Sequence, residues 1–300
     1  MSLIVRPARA EDLQPAQDLV IRSINELTTR HGFGAMASVR PASFQSFSLR
    51  DDPAGLWVAL DGEAIVGFAF SWVCDAFWFL AELFVEPGQQ GRGIGDALLT
   101  RALDHAKAAG ATNRALITFA FNTVSQGLYI RRGMYPRLPL YICTGARETA
   151  ATYRGGETLQ HSPVEAYPLH LNMLASIDAS ALGMSRQKHH RYLLANPELR
   201  GHFLHRGDDC VGYVYVSNSG QIGPLALTQP DLMEAAFNTA LQFAVAQPSQ
   251  QVSAVLPGSN AAALDVATRH GLRIAYPMVL VSAQPFGDWT RYLPRNPGFM

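Results

Sequence analysis

A glycine-rich turn is the first place in the sequence where residue types and their spacing could do chemistry. Gly91, Gly93 and Gly95 stand at alternate positions after an apolar segment that ends at Val85, and apolar residues recur at helical spacing from Ile94 onward. The first N–H groups of a helix have no partner within it, and the helix dipole favours an anion beside them. Glycine allows backbone conformations that aim several N–H groups at one point. The turn therefore predicts a phosphate-binding loop.

Two well-known phosphate-binding loops fit this turn poorly. A nucleotide-triphosphatase loop places Lys and then Ser or Thr after its last Gly, whereas Ile94 and Gly95 follow Gly93 here, so that class is excluded. A dinucleotide-binding loop anchored on Gly91 and Gly93 needs Gly at the position of Asp96, which disfavours hydride transfer. A turn that merely needs glycine backbone angles is the structural alternative.

The elements that must position this turn occur twice in the chain. Residues Gly62–Phe70 recur as Gly207–Tyr215, and each copy predicts the turn and second strand of a β-hairpin. Further along, each copy has a short helical pattern bounded by Asn and Gly at the same spacing: Asn122 and Gly133 in the first, Asn260 and Gly271 in the second. Two matched elements in the same order indicate a duplicated domain.

Each copy alternates strands with helical patterns and adds one antiparallel hairpin. This order predicts an α+β fold in which a mixed sheet lies between two layers of helices, α/β/α, in two tandem domains. We place the first domain at residues 1–145, a polar linker at 146–163 and the second domain at 164–300.

The charge balance argues against several classes of partner. Lys and Arg together number 24, as do Asp and Glu, so no concentrated positive field is available for nucleic acid or an anionic membrane surface. No apolar run approaches the roughly 20 residues that cross a bilayer, and no signal-peptide pattern is present, so we expect a soluble, cytoplasmic protein. Cys74, Cys143 and Cys210 show no zinc spacing, and we expect no metal. The high apolar content, 48%, allows a buried contact in a homodimer.

Two motifs of the first copy resemble those of a known family. The segment Gln90–Gly95 matches the Gln/Arg-x-x-Gly-x-Gly/Ala signature of the GNAT superfamily of N-acetyltransferases. Asn122–Tyr129, followed by Gly133–Met134, resembles the second motif of that superfamily. Together with Arg6–Ala8 and the hairpin, the resemblance covers roughly residues 3–145.

The resemblance implies acetyl-CoA or a related acyl-CoA as co-substrate. Its pyrophosphate would lie at the glycine loop, and its pantetheine arm would pair with the strand before the loop as if it were another strand. Asn122 would contact this arm and also cap its own helix, with capping alone as the alternative. The cofactor-binding residues implied in this way are Leu83, Phe84, Val85, Gln90, Gly91, Arg92, Gly93, Ile94, Gly95, Asp96, Asn122 and Ser125.

Attack of a neutral amine on a thioester needs a base for the proton on nitrogen, donors for the oxyanion and an acid for the departing thiolate. The resemblance places Tyr129 at the general-acid tyrosine of the family; a ring packed on the sheet is the alternative. Glu82 is a charged residue inside an apolar strand, where many family members have an acidic residue that orients the amine or serves as base. A solvated edge residue is the alternative for Glu82.

The second copy lacks the residues of this site. At the offset between the two Asn residues, Asp231 takes the place of Gly93 and Ala267 takes the place of Tyr129. The apolar alternation and the caps persist, so we expect a degenerate GNAT-like domain that still folds. It would serve as a structural buttress or close one side of the acceptor cleft.

These observations predict an acyl-CoA-dependent N-acetyltransferase. It would transfer an acetyl group directly from acetyl-CoA to a primary amine of a small molecule or peptide. The rival hypothesis is a catalytically inactive, CoA-responsive binding protein, in which the second copy contacts a partner. Tyr129 beside an intact glycine loop favours the enzyme.

Overall fold

Contacts between residues group the chain into two units. In the computed structural model, which describes residues 3–152 and 155–300, unit 1 extends to Ile117 and includes Thr123–Tyr135 and Ser282–Gln284. Unit 2 comprises Thr118–Asn122, Pro136–Val281 and Pro285–Met300. Each unit contains one of the two repeated hairpins and one of the two repeated short helices.

The elements of unit 1 follow the order that the apolar patterns predict. They are β1 (Leu3–Pro7), α1 (Leu13–Arg30), α2 (Ser43–Asp51), β2 (Leu56–Asp61), β3 (Ala64–Cys74), β4 (Phe77–Val85), α3 (Ile94–Ala108), β5 (Asn113–Phe119) and α4 (Thr123–Arg131). The sheet order is β1-β2-β3-β4-β5. Pairs from β1 to β4 are antiparallel, and β4 and β5 are parallel.

Helices cover both faces of the unit 1 sheet. Gly67 of β3 faces α3: a Cβ atom at Gly67 would lie 2.8 Å from Leu98 and 3.0 Å from Ile94, so a larger residue would push the helix away. Phe70 points to the opposite face, and its ring contacts that of Phe44 in α2 at 5.2 Å between centroids. The mixed sheet therefore lies between two helical layers.

The elements of unit 2 repeat this pattern with additions. They are β6 (Tyr135–Ala146), α5 (Arg147–Thr152), β7 (Gln160–Pro163), α6 (Pro168–Leu182), α7 (Gln187–Leu194), β8 (Leu199–Arg206), β9 (Asp209–Ser217), β10 (Gln221–Leu227), α8 (Met233–Val245), β11 (Gln251–Pro257), α9 (Ala261–Arg269), β12 (Arg273–Ser282) and β13 (Tyr292–Leu293). The strand order is β12-β6-β11-β10-β9-β8-β7, and β13 also pairs with β10.

Unit 2 also has helices on both faces of its sheet. Val214 and Val216 of β9 belong to an apolar cluster with Met233 and Phe237 of α8. The alternate residue Tyr213 points to the other face and donates a hydrogen bond to Asp178 of α6. The predicted α+β class, a mixed sheet between helical layers in two tandem domains, is confirmed.

The junction between the copies is ordered into strands and a helix. β6, which ends next to the predicted linker 146–163, pairs antiparallel with β11 from Leu140↔Pro257 to Ala146↔Gln251. The linker range itself contains α5 and β7, while residues 153 and 154 lie outside the described residues. Contacts thus assign Pro136–Val281 to unit 2, so this unit begins ten positions before the predicted linker, which starts at residue 146.

Candidate active site

The sheet of unit 1 opens halfway along β4. The parallel pairing of β4 with β5 runs from Phe77↔Asn113 to Leu80↔Leu116 and then stops. At the same place the pairing of β4 with β3 shifts register, which leaves Ala81 as a bulge residue. From Ala81 to Val85, β4 therefore presents an edge that has no β5 partner among the described residues. Leu83, Phe84 and Val85 lie on this edge, half-buried.

The glycine loop follows directly and leads into α3. Gly91 and Gly93 have φ angles of +82° and +79°, in the left-handed region that favours glycine. No atom lies within 4 Å of a Cβ built at either position, so backbone conformation rather than space requires glycine there. Gly93 is the N-cap of α3 and provides no side-chain acceptor, so the N–H groups of the first turn, at Ile94, Gly95 and Asp96, have no cap from this residue.

Ion pairs hold the side chains around the loop. Arg92 lies 3.3 Å from the carboxylate of Asp61, and Gln90 donates to the carbonyl of Val85 at 3.3 Å. Asp96 in the first turn of α3 accepts a hydrogen bond from Arg132 at 2.6 Å. Because Arg132 balances the Asp96 carboxylate, that side chain repels an anion at the helix end less strongly. Sequence analysis missed Arg132.

Glu82 belongs to a polar network on β4, α1 and α2. The side-chain amide of Gln45 donates to both carboxylate oxygens of Glu82 at 3.0 Å and to Oε1 of Gln17 at 2.7 Å. Both glutamines are buried, and Glu82 is half-buried. Desolvation raises the pKa of Glu82, while the Gln45 hydrogen bond and the charge of Arg40 act against it. Glu82 is therefore held in a polar pocket and is not a solvated edge residue.

Gln17 and Gln45 carry weak signals in the sequence. Gln17 stands within the buried stripe of α1, between Ala16 and Leu19, where a polar side chain needs a partner. The Nε2 atom of Gln17 is buried without a hydrogen-bond partner among the described residues. A polar residue at a core-facing helical position could have singled out Gln17, but its link to Glu82 depends on tertiary contacts.

Tyr129 and Ser125 lie on α4 in unit 1, and Tyr129 is buried. Desolvation raises the pKa of the Tyr129 phenol, so this group keeps its proton throughout the neutral range. A buried neutral phenol can donate a proton or a hydrogen bond. Asn122 is grouped with unit 2, and its main-chain N–H donates to Phe119 at 3.0 Å. The β4 edge, the loop and α4 all belong to unit 1, and the hydrogen bond of Arg132 with Asp96 connects the chain after α4 to the first turn of α3.

Two global properties of the chain complete this description. No helix in the described parts of the chain is long and apolar enough to cross a membrane. Across residues 3–152 and 155–300, no group of three or more His, Cys, Asp or Glu side chains is arranged to hold a metal ion.

Comparison with known proteins finds similarity to one family over the part of the chain that contains this site. Residues 22–134 match the model of the acetyltransferase (GNAT) family, and this stretch spans β4, the glycine loop and α4. This stretch of the chain is therefore similar to acetyltransferases of the GNAT family.

Individual proteins are similar to this chain over different parts of its length. A mycothiol acetyltransferase of Streptomyces scabiei is 39% identical over 85 residues, which is 27% of this chain and 27% of that protein. A crystal structure of a protein from Pyrococcus horikoshii aligns with 99% of this chain and 96% of its own, at 17% identity and a TM-score of 0.78. A tandem GNAT protein from the clavulanic acid biosynthesis pathway aligns with 95% of this chain and 99% of its own, at 16% identity and a TM-score of 0.61. These structures share the fold, which supports the tandem arrangement.

Proposed function

We propose that the chain is an acyl-CoA-dependent N-acetyltransferase whose reaction takes place in unit 1. It would transfer the acetyl group of acetyl-CoA directly to a primary amine of a small molecule or peptide. The observation that carries this proposal is the opening of the sheet at Leu80, followed by a glycine loop that caps α3. A strand edge offers hydrogen bonds to an amide-containing arm, and the helix end offers N–H groups to a pyrophosphate.

The residues for holding acetyl-CoA follow the order of the chain. The main chain of Leu83, Phe84 and Val85 would bind the pantetheine arm, and the loop from Gln90 to Asp96 would bind the pyrophosphate. Asn122 and Ser125 would contact the arm from the start of α4. The bound co-substrate would supply an activated acyl group, and no metal is required for its transfer.

Glu82 would act on the incoming amine. Its carboxylate accepts the proton of the attacking nitrogen, either directly or through one water molecule, as the nitrogen bonds to the acyl carbon. The raised pKa makes this carboxylate a stronger base than an exposed glutamate, because a base works best when its pKa approaches the working pH. Gln45 would be a positioning residue, because its amide holds both oxygens of Glu82.

Tyr129 would act on the leaving group. As the bond between the acyl carbon and sulfur breaks, the electron pair stays on sulfur, and the phenol would donate its proton there. Its raised pKa supports this role, since the phenol still carries the proton at neutral pH. The similarity to a mycothiol acetyltransferase covers 27% of the chain, so we propose the amine class of the acceptor and not that protein's substrate.

Two measurements on the full chain test the proposal. Isothermal titration with acetyl-CoA is expected to show binding, and a thiol-release assay over a panel of primary amines is expected to show turnover with at least one of them. Binding without turnover on any amine would favour the CoA-responsive binding protein. No binding at all would overturn both hypotheses.

A further inference from the structure

The sheet of unit 2 opens at the same place as the sheet of unit 1. The parallel pairing of β10 with β11 ends at Ile222↔Ala254, as that of β4 with β5 ends at Leu80↔Leu116. The register with the neighbouring hairpin strand supports this match: Leu83 pairs with Ala69 in unit 1, and Leu225 pairs with Val214, the repeat equivalent of Ala69, in unit 2. Both hairpins also shift register just before this pair. Leu225 and Ala226 are thus the counterparts of Leu83 and Phe84.

In unit 2 the chain itself fills the opening. We call residues 288–295 the filling segment. Its strand β13 pairs antiparallel with β10, with Leu293 opposite Leu225 and Tyr292 opposite Ala226. The main-chain N–H of Leu227 donates to the carbonyl of Arg291 at 2.9 Å. The edge that stands open in β4 is therefore hydrogen-bonded in β10.

The contact continues along the length of β10. The side chain of Gln221 donates to the carbonyl of Arg295 at 2.9 Å, and Arg295 donates to the carbonyl of Gly223 at 3.2 Å. A Cβ atom at Gly223 would lie 2.7 Å from the carbonyl oxygen of Pro294, so the two main chains are too close for anything to lie between them.

Asn260 also binds the filling segment. It is the repeat equivalent of Asn122, the residue that we propose to contact the pantetheine arm. Its side-chain N–H groups donate to the carbonyls of Trp289 at 3.1 Å and Thr290 at 3.0 Å, while its Oδ1 caps α9 by accepting from Ala263 at 3.1 Å. Asn260 therefore caps α9 and also hydrogen-bonds two main-chain carbonyl groups of the filling segment.

The filling segment is part of the core of unit 2. Trp289, Tyr292 and Leu293 are all buried. At the position of Glu82, unit 2 has Pro224, which carries no carboxylate. The N-cap of α8 is Leu232 in a right-handed conformation, whereas Gly93 caps α3 in a left-handed one. Among the described residues of this unit, β13 therefore covers the edge of β10, and the turn before α8 does not end in a left-handed glycine.

We propose that the filling segment occupies in unit 2 the groove that binds the pantetheine arm in unit 1, so that the chain binds one acyl-CoA and not two. A polypeptide and a pantetheine arm both present amide groups, and either can add to a strand edge. The proposal rests on the proposed function for its statement about unit 1. Its statement about unit 2 rests on the hydrogen bonds of β13 and Asn260.

Hydrogen exchange on the full chain, with and without acetyl-CoA, tests both parts. In the free protein, residues 221–227 and 288–295 are expected to exchange slowly, and residues 81–85 quickly. Acetyl-CoA is expected to bind at one equivalent per chain and to protect residues 81–96, with no change at 288–295. Fast exchange at 288–295 in the free protein, two bound equivalents, or loss of protection there on adding acetyl-CoA would each overturn the proposal.

Variants of the two equivalent asparagines, Asn260 and Asn122, test the two assignments independently. Asn260→Asp keeps an oxygen that caps α9 but removes the two N–H donors, so exchange at residues 288–295 is expected to rise at least about tenfold, with acetyl-CoA affinity unchanged. Asn122→Asp is expected to weaken acetyl-CoA binding and leave exchange at 288–295 unchanged. If no variant and no wild-type protein binds acetyl-CoA, the proposed function fails, and the exchange response of Asn260→Asp still decides the assignment in unit 2. An unchanged exchange rate in that variant would contradict it.

Discussion

At the scale of single residues, the surroundings shift the pKa values of two carboxylates in opposite directions. The neighbours of Glu82 include the uncharged amide of Gln45, so loss of water is the stronger effect and the pKa of Glu82 rises. Asp178 in unit 2 is fully buried, yet Arg186 and His190 contact it and lower its pKa. A carboxylate hydrogen-bonded by a neutral amide suits proton transfer, whereas a carboxylate paired with a buried arginine suits a structural role.

Glu82→Gln is expected to lower kcat/KM by a factor of about 10²–10⁴, the usual effect of losing a general base. In the wild type, the active form is the deprotonated carboxylate, so kcat/KM should rise with pH through a pKa above the ordinary value of about 4.3. Gln45→Leu removes a hydrogen bond that favours the charged form, so this rise should move to higher pH. A pH profile of kcat/KM for the wild type, Glu82→Gln and Gln45→Leu tests these three expectations.

Glu63→Gln provides the control for this prediction, because Glu63 is an exposed residue of the hairpin turn between β2 and β3. It is expected to leave the pH profile unchanged. An identical profile in wild type and Gln45→Leu would show that Gln45 does not act through Glu82.

Tyr129→Phe is expected to reduce turnover by about 10²–10⁴ while acetyl-CoA affinity stays nearly intact. The phenyl ring of the variant would still fill the buried place on α4, and the hydroxyl that supplies the proton to the leaving thiolate would be lost. Because burial raises the pKa of Tyr129, wild-type kcat should not fall through ionisation of this group below about pH 10. Steady-state kinetics and isothermal titration give the two quantities.

Tyr135→Phe is the matched control, since Tyr135 is exposed at the start of β6. Unchanged turnover in Tyr129→Phe would remove Tyr129 from the proposed mechanism.

At the scale of elements, the two units share a strand geometry and differ in the loop that follows it. Both β4 and β10 separate from their parallel neighbour where their pairing with the preceding strand shifts register, so the opening is repeated in both units. The loop before α3 ends in a left-handed glycine, whereas the loop before α8 ends in Leu232. Backbone conformation, left-handed at Gly93 and right-handed at Leu232, therefore distinguishes the turn that we propose to bind the pyrophosphate.

Gly93→Asp is expected to abolish measurable acetyl-CoA binding, because it places a carboxylate at the helix end and forces a non-glycine residue to φ +79°. The left-handed conformation alone costs about 1–2 kcal/mol for a residue with a Cβ atom. Gly88→Asp adds the same charge to the same loop where glycine is not required by φ and space is open. Isothermal titration of both variants should show a loss in the first and a change of less than about threefold in the second, and equal losses would refute the assignment.

At the scale of the whole molecule, the chain is a duplicated fold in which β4 of unit 1 parts from β5 after Leu80, while β10 of unit 2 is paired with β13 at the equivalent place. Unit 2 also holds a buried ionic network. Arg186 donates to Asp178 at 3.0 and 3.1 Å, and His190 lies 2.9 Å from the same carboxylate. Tyr213 of β9 donates to it as well. These contacts connect α6, α7 and the sheet, and they favour a structural role for unit 2.

Asp178→Asn is expected to destabilise unit 2 by about 3–5 kcal/mol, because it removes the carboxylate that is paired with the buried Arg186. The folded-state pKa of Asp178 is lowered, so its stabilising effect is present above the unfolded value of about 3.9 and is lost as pH falls through the folded value. Urea unfolding monitored by hydrogen exchange in unit 2 at pH 7 measures the change. Asp208→Asn, in the exposed turn between β8 and β9, is the control, and equal stabilities of the two variants would contradict the prediction.

The sequence by itself determined the features that depend on local spacing. The repeat of hairpin and capped helix, the glycine loop and the α+β class follow from periodicities and from residues that special backbone conformations require, such as Gly91 and Gly93. These signals are local because each strand or helix buries one face, whatever its partner.

Tertiary structure alone decided which segments meet. The contact of Gln45 with Glu82 joins residues 37 positions apart, and the pairing of β6 with β11 leaves β6 outside unit 1. The residue types of Tyr292 and Leu293 do not predict that these residues pair with β10, because a strand edge can form hydrogen bonds with any main chain that reaches it. Main-chain hydrogen bonds do not depend on side-chain identity, so the occupant of an open edge is chosen by chain path and packing, which local spacing does not encode.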